Sequence, residues 1–443
     1  MDKRAREAMA RAVLARSRAD QTEVIVTARD SALTRFARGI SNQNVAAIER
    51  AVSVRAIVDG CTGVAATNDT DEPALDAVVA RAIALATFSP ADPHTPTLPS
   101  GGPVQAPDGS FVDATARAGA DERAHACAAV FEASERAGFW AAGYVSNGVS
   151  GITIANSSGA LASYDGTNAA ANIKMTGPDS TGFAESYHAD VRRIDAAALG
   201  RRAVEKARAS AAPRSVEPGP WTVILEPAAI GELLAYVTSH FSAQSYDEGS
   251  SFFAGHLGEQ LLGPNVTIGD DYAHPLAPSM PFDYEAQPKQ RVTLVERGIV
   301  RAIVTDSYYG NKLGLPNTGH ALPAPNAWGP QALNIVVANS DTTADELIAT
   351  TKRGLLVTRF WYIRTVDHKQ AIVTGMTRDG TFLIEDGKIA GGVRNMRFNQ
   401  SIVEALRSIA FANDATRTGG YSYSLVTPTV KIENFTFTSG TDF

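Results

Sequence analysis

Trp221–Gly263 reads WTVILEPAAIGELLAYVTSHFSAQSYDEGSSFFAGHLGEQLLG, and the order of elements in it decides the fold. Trp221 to Leu225 is read as a strand, Glu226-Pro227 as a turn, and the following segment as a helix ending near His240. Ile230, Leu233, Leu234 and Val237 recur at i, i+3, i+4 and i+7, so one face of that helix should be buried. A Gly/Ser-rich loop follows at Glu248-Gly249-Ser250-Ser251-Phe252-Phe253, and a second short helix is expected around Leu257 to Leu262.

A second informative stretch lies at Thr374 to Ile389, where Asp386-Gly387 turns one strand into the next. Four features resemble the TldD/PmbA family: Leu225-x-Pro227, the Leu233-Leu234 pair, Gly249-Ser250-Ser251-x-Phe253 and Gly255-x-x-Gly258-Glu259. The hairpin at 374–389 has the same family character, and the resemblance runs over nearly the whole chain. In the zinc-bearing branch of that family the residues after the Leu-Leu pair are His-Glu-x-x-x-His, and a cysteine near the C-terminal end completes the metal site. Here the six positions are Ala235, Tyr236, Val237, Thr238, Ser239 and His240, and no cysteine follows Cys127.

The chemistry of that difference is independent of the family. A catalytic zinc takes about three protein ligands and keeps one position open for water. Alanine offers no lone pair. A tyrosine phenol, with a pKa of about 10, stays protonated at neutral pH and makes a poor substitute for a glutamate base. Two side chains five residues apart sit about 140° apart on an ideal helix, so the intact motif needs a local distortion that this helix is free to drop. His240 is therefore expected to be a half-buried or capping histidine near a helix C-terminus, where the dipole favours its cation.

The resemblance implies an α+β, two-domain architecture: a mixed α/β N-terminal domain at 1–212, a linker at 213–220, and a strand-rich domain at 221–443 carrying the degenerate metal-site helix. It implies the non-catalytic, zinc-less subunit of a cytosolic metalloprotease acting on unfolded or extended peptides. Zinc would be held by a partner, a zinc-bearing homologue in a heterodimer, with a homodimer as the other arrangement. Ser250, Ser251, Thr377 and Arg378 would shape the substrate chamber. The alternative is a self-sufficient, zinc-independent enzyme of specialised metabolism, in which Tyr236, His240 and Glu248 would do acid–base work.

Composition bounds these readings. The chain has 443 residues, enough for two or three cores, with 44% hydrophobic and 20% charged residues. A net charge of −7 and scattered arginines argue against nucleic acid as a partner. Two cysteines, Cys61 and Cys127, build neither a disulfide framework nor a cysteine zinc site. No signal peptide or membrane-length apolar run is seen, so a cytoplasmic protein is expected. His256-x-x-Glu259, with His274 beside Asp270 and Asp271, has spacing that suits a metal, although solvated polar loops usually look the same. His320 and His368 are assigned to loops and strand edges.

Along the chain, helices are expected at 3–17, 72–86, 114–137, 195–209 and 343–350. In the first half, strands are expected at 23–28, 32–37, 52–58, 143–149, 151–155, from 161, and at 170–175. Glu23 to Ala28 and Ala32 to Ala37 are expected to form a hairpin. Later strands are placed at 291–295, 298–305, 332–338, 354–365 and 421–437, with Tyr308 to Gly314 as a loop.

Overall fold

The computed structural model describes residues 1–419 and 424–441. The first half contains α1 (Lys3–Arg16), β1 (Gln21–Ala37), β2 (Ile40–Val58), β3 (Cys61–Thr67), α2 (Glu72–Ala86), α3 (Asp113–Arg117), α4 (Ala120–Ala137), β4 (Trp140–Asn156), β5 (Leu161–Thr176), β6 (Thr181–His188) and α5 (Ala196–Ala209). The six strands form one antiparallel sheet in the order β3-β2-β1-β4-β5-β6. Helices α1 and α2 cover one core around Val24, Val26, Val52 and Val54, while α4 and α5 cover another around Val130, Ile173 and Val204.

The expected helix 72–86 is present with Asp71 as its cap. Other expectations are corrected. Glu23 to Ala28 and Ala32 to Ala37 are not a hairpin but one continuous strand, β1, because both of its edges are paired, with β2 and β4, through the polar Arg29-Asp30-Ser31 segment. Tertiary pairing overrides the local turn signal there. The same pairing fuses the two strands expected at 143–155 into β4. The helix expected at 114–137 breaks before Gly119, whose N–H is capped by the Glu122 carboxylate at 2.8 Å to start α4.

The second half contains β7 (Gly219–Leu225), α6 (Pro227–Leu234), a 3₁₀ turn at Thr238–Phe241, α7 (Ala243–Asp247), β8 (Ile268–Asp270), β9 (Val292–Glu296), β10 (Ile299–Val300), α8 (Ser307–Leu313), β11 (Asn334–Val337), α9 (Ala344–Ala349) and β12 (Arg353–Asp367). It continues with β13 (Ile372–Glu385), β14 (Lys388–Gly392), β15 (Met396–Ser401), α10 (Ile402–Arg407), β16 (Ile409–Phe411), β17 (Thr416–Thr418), β18 (Ser424–Thr427) and β19 (Val430–Gly440). Of the strand pair expected from Tyr421, residues 421–423 lie outside the described residues.

Strands β12, β7, β19, β15 and β13 pair in sequence, and β13 pairs back to β12, so the five close into a ring. Gly219 on β7 stands opposite Phe437 on β19. The ring is filled by aromatic side chains: Phe360, Phe398 and Phe435 are fully buried, with centroids 4.7, 5.2 and 5.7 Å apart. A smaller sheet runs β10-β9-β8-β11-β18-β17.

Leu257 to Leu262 is not a helix. Gly255 and Gly258 take φ of 81° and 89°, and Gly258 and Leu261 donate to Val300 and Gly298 of the neighbouring hairpin instead. Tyr308 to Gly314 is not a loop. It forms α8, capped by Asp306 at 2.8 Å from the Tyr309 N–H and ended by Gly314 at φ 65°. We propose the junction of the halves at 213–220. That segment is tied down, since Arg214 forms a bridge to Val393. Among the described residues, no helix is long and apolar enough to cross a membrane.

Candidate functional site

Helix α6 enters from β7 through Pro227 and buries Ile230, Leu233 and Leu234 on the ring. It stops at Leu234, earlier than the apolar spacing implied. Tyr236, Val237 and His240 donate to Leu233, Leu234 and Val237, three residues back in each case, and the Thr238 hydroxyl bonds the Ala235 carbonyl. The β-branched pair Val237-Thr238 and this local bond favour tight turns over another α-turn.

The motif positions are taken up by packing. The Tyr236 hydroxyl donates to the Ile363 carbonyl at 2.6 Å. His240 is 1% exposed, not half-buried as its position near a helix end suggested. Its ring stacks on His368 at 4.4 Å and 18°, packs against Phe252 at 4.7 Å, and accepts the Phe252 N–H at Nδ1 across 3.4 Å. Burial, and then His368, lowers its pKa to about 3, so the cation is disfavoured rather than favoured. The helix dipole has no leverage here because the helix has already ended.

This donor set does not fit a zinc ion. Ala235 has no ligand atom, Tyr236 is a proton donor to a carbonyl, and His240 meets His368 ring face to ring face rather than lone pair to lone pair. Glu248 is exposed beyond α7, where it accepts from Gln244 at 3.0 Å. The structure thus carries Tyr236 and His240 to the far end of β12 but sets Glu248 on another surface.

The expected chamber residues divide in the same way. Ser250 donates to the Ser245 carbonyl at 3.3 Å, and buried Ser251 donates to the His240 carbonyl at 2.8 Å. Thr377 is fully buried on β13 and accepts the Met396 N–H at 3.0 Å. Arg378 stacks over Trp361 at 5.3 Å. In the other candidate cluster, His256 and Glu259 bond each other at 2.8 Å on the surface, while Asp270 is turned inward. Its partner is His320, 3.3 Å away, which lies in a loop as expected but is buried.

Sequence reasoning missed a carboxylate cluster between the halves. Arg55 of β2 reaches Glu23 of β1 at 2.8 Å and Glu285 of the second half at 3.2 Å. Burial leads the forces that raise Glu23 to about 7 and Asp306 to about 6. Arg55, Glu285 and Asp306 line a cleft of about 730 Å³ shared by both halves. No local motif announces it, because Arg55 and Glu285, which join its two sides, lie more than two hundred residues apart.

Comparison with known proteins follows this geometry. A family described as "PmbA/TldA metallopeptidase C-terminal domain" matches residues 218–439, and "PmbA/TldA metallopeptidase domain 1" matches 22–86. A metalloprotease of Methanothermobacter thermautotrophicus is 26% identical over 57% of this chain and 58% of its own length. A metalloprotease PmbA homolog of Haemophilus influenzae is 31% identical over 42% of this chain and 40% of its own. The matches therefore span roughly half the length of these relatives. The crystal structure of TldE from Thermococcus kodakarensis superposes with a TM-score of 0.86 at 20% identity, over 97% of this chain and 99% of that one, and shows the shared fold. Fold and family match together define an α+β protein on a metallopeptidase scaffold. The chain belongs to the PmbA/TldD family of metalloproteases.

Proposed function

We propose that this chain is the non-catalytic subunit of a TldD/PmbA-type metalloprotease, paired with a zinc-bearing homologue and acting on unfolded or extended peptides in the cytoplasm. One observation carries the reading. Within a family scaffold, the three motif positions are spent on packing: Ala235 offers no donor, Tyr236 is bonded to Ile363, and His240 is stacked on His368. The cleft between the halves supports a peptide ligand, since backbone pairing along extended chains is indifferent to side chains.

The reading is tested by elemental analysis and peptidase assays. The chain alone should carry no stoichiometric zinc and leave an unfolded peptide intact, and cleavage should appear on mixing with a zinc-bearing homologue. About one zinc per chain, lost in His240→Ala, or chelator-sensitive cleavage by the chain alone, would refute it. Chelator-insensitive turnover of a small molecule would establish the self-sufficient enzyme instead.

A further inference from the structure

We propose that the cavity between the first sheet and the β11-β18-β17 face binds a small organic anion, a carboxylate or phosphate on an apolar body, recognised by Arg417 and Ser424. This does not depend on the peptidase reading. The cavity holds about 890 Å³, ample for such a ligand. One wall is Thr27–Arg29 of β1 and Ser150–Ile152 of β4, and the other includes Asn334, Arg417 and Ser424.

Strand register puts these three side chains on one face. Arg417 stands opposite Val426, and Ser424 lies two residues before Val426, so both point the same way. Asn334 pairs in parallel register with Ser424. Lys289 extends the row by donating to the Asn334 side chain at 3.1 Å.

Two members of the row lack partners among the described residues. Ser424 is 8% exposed, and its hydroxyl has no hydrogen-bond partner. The Arg417 Nε is buried and equally unanswered. Buried polar groups are ordinarily bonded and buried charges paired, so each vacancy costs stability unless something else fills it.

The charges around them make the case specific. Lys289 has Asp270 as its counter-charge, because His320, Lys289 and the Asn334 N–H together outweigh burial and keep that carboxyl ionised. Asp283 supplies little, since burial and then Glu285 push it well above the usual carboxylate range. Arg50, at the cavity wall, is held by Asp30 at 2.7 Å. Among the described residues no carboxylate acts on Arg417: the phenols of Tyr164 and Tyr187 lie near it, and burial raises both, leaving them uncharged, while the nearby His188 is held below its usual value, first by burial. An arginine stays charged even when burial works against it. In a chain of net charge −7, a cation without a carboxylate is therefore left for an incoming anion. Tyr164, Tyr284 and Met280 provide apolar surface beside it.

Isothermal titration of the full chain with N-acetylphenylalanine, its amide and phenyl phosphate tests the site. At least one of the two anions should bind once per chain, and the amide should bind about tenfold or more weakly than the free acid if the carboxylate is the recognised group. Tighter binding of the acid assigns a carboxylate ligand, and tighter binding of phenyl phosphate assigns a phosphate. Arg417→Gln and Ser424→Ala should each weaken that binding. Arg417→Gln should leave the melting temperature unchanged or raised, since it removes an unanswered buried charge. Failure of both anions to bind, equal affinity in Arg417→Gln, or a melting temperature several degrees lower in that variant would overturn the proposal.

Discussion

Acidification probes the packing of His240 directly. In the unfolded chain this histidine titrates near 6.5, while in the folded protein burial and His368 hold it near 3. Below pH 6.5 the unfolded chain therefore binds more protons than the folded one, and stability falls as pH falls until the folded pKa is reached. With those two values the loss is about 0.2 kcal/mol at pH 7 and about 2 kcal/mol at pH 5. His240→Phe keeps an aromatic ring against Phe252 and His368 but cannot titrate. Buried carboxylates such as Glu23 and Asp306, raised by burial, act in the opposite direction, but they are common to both proteins and cancel in the difference. So does the Phe252 N–H, which is left without its ring partner at every pH. Urea unfolding at pH 7 and pH 5, followed by tryptophan fluorescence, should show the wild type losing about 2 kcal/mol more than the variant. Equal losses, within about 0.5 kcal/mol, would refute the description of His240 as a buried neutral ring.

Three further outcomes are expected. Phe360→Ala should cost about 3–5 kcal/mol in urea unfolding, because it opens a cavity among the rings of Phe398 and Phe435. Gly182→Ala should destabilise by about 1–3 kcal/mol or more, since a Cβ there would lie 2.1 Å from the Ala203 carbonyl oxygen and push α5 off β6. An unchanged melting temperature in Gly182→Ala would mean that α5 is not pressed so closely on the sheet. The pair Ala235→His and Tyr236→Glu should not create tight zinc binding in a competition assay with a chromogenic chelator, as the third donor is still missing and α6 ends at Leu234. Stoichiometric uptake would show that the site needs only those two residues.

Much of the fold is legible in the sequence where pattern and burial agree. Leu75, Val78, Val79 and Ala82 give the stripe of α2, and Asp386-Gly387 gives the β13–β14 turn. The errors fall where long-range pairing decides. Nothing local in Arg29-Asp30-Ser31 says that β1 runs straight through, because its partners on β4 lie more than a hundred residues away. The missing donors at Ala235 and Tyr236 are visible in the sequence itself, but the burial of His240 is not, since it depends on Phe252 and His368 arriving from elsewhere. The Arg55 cluster and the Arg417 row are invisible for the same reason. The sequence assigns His320 to a loop, yet only the fold supplies Asp270 as its partner.

The pairing of Gly219 with Phe437 has a consequence for how the gene could be cut. The second half starts and finishes at one spot on its strand ring, so its two ends lie within reach of a short peptide. Such an arrangement suits circular permutation and insertion. A coding sequence rearranged to join residue 440 to residue 219, and opened at a surface turn elsewhere, would keep every strand pair of the ring. A second protein fused after residue 440 would emerge beside the junction at 213–220, on the side where the two halves meet.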